Sequence, residues 1–330
     1  MPDTFRGFVV DRSADRFDAG IRPLTLDALP DHPVLVRVAY SSLNYKDGLA
    51  VTDSGKILRR FPIVPGIDLA GTVVESADPR FKPGDPVLAT GCGIGEEHWG
   101  GYASYARLRP EWIVPMPDGL DASRAMALGT AGFTAMLCVE ALERHGVSPE
   151  GGKVLVTGAS GGVGSIAVML LASLGYTVVA VSGKPEYARE LQEFGAAEVL
   201  PRQALSEPGK PLESARWAGV VDTVGGSTLV RALAQTKLYG CVAACGNAGG
   251  AKLEGTVFPF ILRGVTLAGI SSVNQPIESR LRLWPRLADL IPTDHLEEIT
   301  GEINLNQLYD YAGRILRGQI RGRTIVRLDD

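Results

Sequence analysis

Apolar and polar positions change rhythm along this chain, and the change divides it. Up to about residue 122 the apolar runs are short. Those at 34–40, 69–74, 86–89 and 102–108 each read as a strand. Turn chemistry separates them: Phe61-Pro62-Ile63-Val64-Pro65-Gly66, Lys82-Pro83-Gly84-Asp85 and Gly91-Cys92-Gly93-Ile94-Gly95. Short strands at this spacing predict a small barrel or sandwich-like β domain. Beyond residue 122 helical periods intervene. Residues 122–142 read as a helix broken around 129–132. Strands follow at 154–156, 176–181, 196–200, 219–223, 240–244 and 265–270, with helical stretches at 163–172, 186–194, 228–236 and 259–263. Six strands alternating with helices predict an α/β fold, an open, doubly wound, six-stranded parallel sheet. After about 273 the pattern changes again, to helices at 280–290 and 308–316 and a strand at 324–328. The expected division is a Rossmann domain over 123–272 and a β-rich domain made of 1–122 and 273–330.

The most informative stretch is Lys153-Val-Leu-Val-Thr-Gly-Ala-Ser-Gly-Gly-Val-Gly164. A buried strand runs into a glycine-rich turn and then a helix, and the next strand follows. The helix begins with unpaired N–H groups and the positive end of its dipole. A pyrophosphate sits there if no side chain blocks it. Ala159, Gly161 and Gly164 occupy the three positions of the G-x-G-x-x-G pattern, with Ala in place of the first glycine. In NAD sites an acidic residue usually closes the second strand. Here that strand ends Val181-Ser182-Gly183-Lys184. A serine and a lysine suit a 2′-phosphate, and Arg202, after the third strand, stands at the same end of the sheet. This predicts NADP(H).

Other chemistries find little support. Cys92, Cys138, Cys241 and Cys245 show no C-x₂-C spacing, and the four histidines no H-E-x-x-H, so no metal site is expected. Cys241 and Cys245 flank a strand and read as buried thiols. No G-x-S-x-G elbow appears. Four cysteines in 330 residues make no disulfide framework, which suggests a reducing cytoplasm. Residues 1–18 carry charge throughout and lack an apolar h-region, so no secretory signal is expected. A net charge of −4 without a basic stripe disfavours nucleic acid, and no membrane span is expected.

The longer motifs carry a resemblance. They are Ser41-Ser42-Leu43-Asn44-Tyr45-Lys46-Asp47, Pro65-Gly66-Ile67-Asp68-Leu69-Ala70-Gly71, His98-Trp99-Gly100-Gly101, Gly129-Thr130-Ala131-Gly132-Phe133-Thr134, Val242-Ala243-Ala244-Cys245-Gly246 and Gly322-Arg323-Thr324, with the phosphate turn and Ser182-Gly183-Lys184. Together they resemble, nearly end to end, the zinc-free, quinone oxidoreductase-like branch of the medium-chain dehydrogenase/reductase superfamily. Within it the chain is most similar to the acryloyl-CoA reductase group. Zinc-dependent members have a cysteine ligand where this chain has Ser-Leu-Asn-Tyr-Lys-Asp. The resemblance implies a GroES-like fold for the β-rich domain, a homodimer, and NADPH-dependent reduction of the C2–C3 double bond of acryloyl-CoA to propionyl-CoA. By the same resemblance Ser160, Gly161, Gly162 and Val163 form the phosphate turn, and Ser182, Gly183, Lys184 and Arg202 the 2′-phosphate site. Thr130 and Tyr45 match residues near the nicotinamide. Cys245, Gly246, Ile270 and Ser272 lie on loops that hold the cofactor.

Tyr45 is the candidate proton donor to the α-carbon; the alternative is a tyrosine that only shapes the cofactor pocket. Asp47 reads as a cap for a short following helix. His98 is a second candidate donor, with a structural role as its alternative. Lys56, Arg59 and Arg60 are candidates for the phosphates of CoA or a solvated face. Two other functions keep the same fold: an NADPH:quinone oxidoreductase, and a non-catalytic NADPH-binding protein.

Overall fold

The computed structural model describes residues 3–13, 16–207 and 209–328. The chain opens with an antiparallel hairpin, β1 (Phe5–Ser13) on β2 (Arg16–Leu24), which pattern reading misses. The reason is local: β2 carries Gly20 and Pro23 and no fully buried side chain, so it has no alternation to see. Next come β3 (Val34–Ser42), α1 (Tyr45–Val51), β4 (Asp68–Ser76), β5 (Pro86–Thr90), β6 (Tyr105–Leu108) and β7 (Ile113–Pro115). The strand expected from 102 begins at 105, because Tyr102 and Ser104 bond outside the sheet path, to Pro65 and Arg6. The helix α2 (Ala122–Arg144) leads into β8 (Val154–Thr157), α3 (Gly162–Ser173), β9 (Val178–Ser182), α4 (Ala188–Glu193), β10 (Ala196–Pro201) and α5 (Gln203–Ser206). Then follow β11 (Trp217–Asp222), α6 (Gly226–Ala234), β12 (Thr236–Ala244), α7 (Phe258–Arg263) and β13 (Thr266–Gly269). The expected helix over 228–236 stops at 234, since Thr236 already pairs with Trp217 as the first residue of β12. The chain ends with α8 (Ile277–Leu290), α9 (Thr293–Glu298), β14 (Thr300–Asn304), α10 (Leu308–Leu316) and β15 (Arg323–Arg327).

Two compact units result. The first comprises residues 1–130, 273–288 and 296–330; the second, 131–272 and 289–295. In the first, a seven-stranded sheet runs β14-β15-β3-β4-β5-β7, with β6 also on β3. Its core includes Val34, Val36, Leu69 and Tyr102. Here α1 and α10 approach closely at Gly48, where a Cβ would come within 2.8 Å of Ile315.

The second unit holds a wholly parallel sheet in the order β10-β9-β8-β11-β12-β13. This is a doubly wound sheet, as the strand–helix alternation predicts. It places the topological reversal between β8 and β11, and ligands of such sheets lie outside the C-terminal strand ends at that reversal. Val154, Leu155 and Val156 are fully buried in β8, as a continuous apolar strand covered on both faces must be.

Candidate active site

At the end of β8 the chain turns on Gly158, whose φ of +62° few side chains tolerate. The tight-turn glycine is therefore Gly158, and the pattern's first position is filled by its buried neighbour Ala159. The glycine requirement is met one residue earlier than expected. Gly161 is the N-cap of α3, with no side chain bonded to the helix's free N–H groups. A Cβ on Gly164 would collide with the Gly158 carbonyl, so this glycine lets the helix sit against the turn. Gly162, Val163 and Gly164 thus present backbone N–H groups at an open helix N-terminus.

Beside them the strand ends gather the polar set. Ser182 Oγ donates to Ser160 Oγ at 2.9 Å, and Lys184 N donates to Ser182 Oγ at 3.0 Å. Arg202 N donates to the Ser182 carbonyl at 2.9 Å. Its guanidinium lies against Gly183, where a Cβ would come within 2.5 Å of Nη2. Among the described residues no carboxylate pairs with Arg202. Four residues from three loops therefore converge on one small region. A 2′-phosphate fits that donor set, and an NAD ribose, which calls for a carboxylate, does not. Cys245 and Gly246 follow β12, and Ile270 and Ser272 follow β13, at the same C-terminal edge of the sheet. Cys241 is buried in β12 rather than flanking it, and Cys245 is half-buried and donates to the Asp222 carbonyl at 3.4 Å. Asp222, which sequence reading passed over, accepts from Thr157 Oγ1 at 2.7 Å and from Gly225 N at 2.7 Å. It ties the ends of β8 and β11 together at the reversal, and burial pushes its carboxyl up from the ordinary value.

In the first unit Tyr45 is the first residue of α1, 43% exposed, and among the described residues its hydroxyl has no hydrogen-bond partner. Below it lies a buried polar network. Asp68 accepts from Thr130 Oγ1 at 2.5 Å, Ser42 Oγ at 2.6 Å, and Asn44 Nδ2 and Thr130 N, both at 2.9 Å. Arg323, 3% exposed, donates to the carbonyls of Ala127 at 2.6 Å and Met126 at 3.4 Å, and to Asn44 Oδ1 at 3.2 Å. Asn44 thus bridges cation and carboxylate with the two ends of its amide. The arrangement repairs a break in α2. Gly129 has φ +49° and ψ −154°, outside the helical range. Thr130 N, which would otherwise bond the Met126 carbonyl, goes to Asp68, and Arg323 takes that carbonyl. A Cβ at 129 would come within 2.7 Å of Asp68 Oδ2.

Asp47 does cap the short helix, but from inside its first turn. It is the third residue of α1, and with Asn44 it forms a capping box: Asp47 Oδ2 accepts from Asn44 N at 2.8 Å. Its other oxygen accepts from Ile67 N at 3.0 Å, pinning the helix start to the segment before β4. Burial, with the Asp68 charge next, pushes Asp47 up to about 7, against the opposing pull of its N–H donors. A carboxyl whose folded pKa is raised binds protons more readily folded than unfolded. Its contribution to stability therefore declines as pH rises towards that value. Relative to Asp47→Asn, the parent is expected to lose about 2 kcal/mol of urea-unfolding free energy between pH 5 and pH 8. A difference independent of pH would refute this.

Thr130 is engaged by Asp68, and its neighbours Asp68, Asn44 and Arg323 form a site that sequence reasoning did not assemble. Asp68 and Arg323 each stand first in their strands, β4 and β15, so local pattern gave no signal of their burial. Among the described residues no group of three His, Cys, Asp or Glu side chains is arranged to hold a metal ion.

Known proteins share this architecture. The family model of the zinc-binding dehydrogenases matches residues 162–289, and that of the alcohol dehydrogenase GroES-like domain residues 30–118. The chain is 52% identical over 325 residues to acrylyl-CoA reductase AcuI of Ruegeria pomeroyi, covering 98% of each. Escherichia coli K-12 YhdH, solved with bound NADPH, is 51% identical with a TM-score of 0.95, over 98% of this chain and 100% of that one. Bacillus subtilis YhfP, solved with NAD bound, is 44% identical with a TM-score of 0.95, over 98% and 99%.

Proposed function

This chain belongs to the medium-chain dehydrogenase/reductase superfamily, and we propose that within it the protein reduces the C2–C3 double bond of acryloyl-CoA, giving propionyl-CoA. It is an oxidoreductase, and its cofactor is NADP(H). The observation that carries the substrate is the likeness to the Ruegeria reductase, which runs the length of both chains.

When bound, NADPH supplies a hydride for the β-carbon of the enoyl thioester. The chain's residues do the rest. The open N-terminus of α3, with Gly161, Gly162 and Val163, holds the pyrophosphate. Ser160, Ser182, Lys184 and Arg202 hold the 2′-phosphate, with Gly183 leaving room for the guanidinium. Cys245, Gly246, Ile270 and Ser272 line the way to the nicotinamide. Tyr45, whose hydroxyl is unengaged, gives its proton to the α-carbon as the enolate collapses, and water restores it. The Asn44–Asp47–Asp68–Arg323 network, with Thr130, fixes the start of α1 and so the position of that hydroxyl. We propose that the reaction needs no zinc, since Asn44, Asp47 and Asp68 spend their polar atoms on one another, on Ser42, Thr130 and Arg323, and on backbone.

Replacing Arg202 by alanine is expected to raise KM for NADPH about tenfold or more and to leave KM for NADH unchanged. Equal effects on both cofactors would remove Arg202 from the 2′-phosphate site. The activity itself is tested by NADPH oxidation with acryloyl-CoA, crotonyl-CoA, a quinone, or no acceptor. Turnover with the quinone alone would replace the proposal by a quinone reductase, and none with any acceptor by a binding protein.

We also propose a homodimer in the cytoplasm. β13 is an edge of the parallel sheet. Leu238 and Tyr239 on β12 and Val257, Phe258, Ile261 and Leu262 at α7 are exposed apolar side chains, of the kind a partner covers. Pairing of two β13 edges would cover both. Ile261→Lys is expected to shift the sedimentation coefficient from that of a dimer to that of a monomer.

A further inference from the structure

The first unit carries a cluster of basic and aromatic side chains that the proposed reaction leaves unused. Loop 91–99 is a rigid knot: Cys92, Gly93 and Gly95 have positive φ, His98 N donates to the Gly93 carbonyl at 3.1 Å, and Gly95 N donates back to the His98 carbonyl at 2.7 Å. The His98 ring lies 4.6 Å from Trp112, and His32 lies 5.3 Å from the same indole and 5.9 Å from His98. The Arg109 guanidinium stands over that indole at 5.2 Å. Arg59 N donates to the Glu96 carbonyl at 2.9 Å, which runs residues 59–60 alongside this loop, and Arg60 is the weakest of the charges that act on His98.

Arg60 and Arg109 are both exposed, and among the described residues neither has an ion-pair partner. The His98 ring nitrogens have no protein partner among them, and His32 Nε2 is buried without one. Burial, with Arg109 next, holds His98 and His32 below the ordinary imidazole range, so at neutral pH the charge here is that of the guanidiniums. The acidic groups in range are Glu97 on His98, and Asp31 and Glu111 on His32. Arg109 and, more weakly, Arg60 add positive charge around the His98 imidazole, and an anion bound there would relieve their mutual repulsion. The cluster is tied to the Tyr45 helix, because Lys46, the residue after Tyr45, pairs with Glu96 at 2.9 Å.

We propose that Arg60, Arg109 and His98 form a phosphate-binding subsite that takes the 3′-phosphorylated nucleotide end of the acyl-CoA substrate. The subsite rests on the acyl-CoA reading and adds to it where the nucleotide is held. Of Lys56, Arg59 and Arg60 it selects Arg60, and it adds two residues from other loops.

Adenosine 3′,5′-bisphosphate is the direct probe, titrated calorimetrically into the protein saturated with NADP⁺ so that the cofactor site is closed to it. Saturable binding, weakened about tenfold or more by Arg60→Ala/Arg109→Ala and unchanged by Lys82→Ala, is the expected result. Kinetically, the double variant should raise KM about tenfold or more for acryloyl-CoA but not for S-acryloyl-N-acetylcysteamine, which has no nucleotide. Absence of bisphosphate binding to the parent, or equal KM changes for the two thioesters, would overturn the subsite. Failure of the parent to reduce either thioester would instead overturn the acyl-CoA reading, while the calorimetry still decides the subsite.

Discussion

Replacing Arg323 by methionine is expected to lower the unfolding free energy by about 3–5 kcal/mol, the typical cost of stranding a buried charge. The side chain fills a similar space, so the loss is one of charge and hydrogen bonds. Arg323 is the cation nearest to two buried carboxylates, Asp68 and Asp47, and burial itself draws its own pKa down. It also satisfies the carbonyls that the break at Gly129 releases from α2. Without it the Ala127 and Met126 carbonyls lose a buried donor, and Asn44 loses the partner that orients its amide towards Asp68. Urea unfolding at pH 7 measures the effect. A loss below about 1 kcal/mol, the worth of an ordinary neutral hydrogen bond, would mean that the network carries no net buried charge.

Tyr45→Phe is expected to reduce kcat for acryloyl-CoA about 10²- to 10⁴-fold, the usual range for loss of a positioned general acid. KM for NADPH should stay within about twofold and the melting temperature within about 2 °C, because Tyr45 is exposed and its hydroxyl bonds no protein group among the described residues. The ring, which packs at the start of α1, is retained in the variant. Stopped-flow turnover at saturating NADPH is the measurement. An unchanged kcat would leave Tyr45 as a wall of the cofactor pocket and require another donor. Asp47→Asn provides a contrast: it disturbs the helix start that carries Tyr45 and leaves the hydroxyl itself in place, so stability should move as well as kcat.

The phosphate turn was legible because everything it needs lies within a dozen residues. Strand, glycines and helix follow one another, and backbone sterics at Gly158 and Gly164 demand glycine whatever surrounds them. The identity of the first turn glycine was misread by one position, since spacing alone does not report φ. The doubly wound parallel sheet followed from the alternation of strands and helices; its strand order came from the fold. Ser182, Lys184 and Arg202 could be placed together for the same reason: consecutive parallel strands all end at one edge of the sheet.

The buried network was not legible by that route. Asn44 and Arg323 are 279 residues apart, and Ser42, Asp68 and Thr130 come from further separate segments. Nothing in local periodicity distinguishes a carboxylate that will be buried from one at a strand end. Asp47 is legible as a cap of the short helix, but not its second bond, from Ile67 N, because Ile67 is not adjacent in sequence. The hairpin β1–β2 was hidden by a strand without an apolar face. His98 read as a lone histidine until folding set Trp112, Arg109 and Arg60 around it. What the sequence by itself determined, then, was the α/β class, the dinucleotide turn and the preference for a 2′-phosphate, all set by short-range sterics and strand polarity. Tertiary structure alone decided which charges are buried and which cations converge unpaired, because desolvation and Coulomb interaction depend on distance in space and not on distance along the chain.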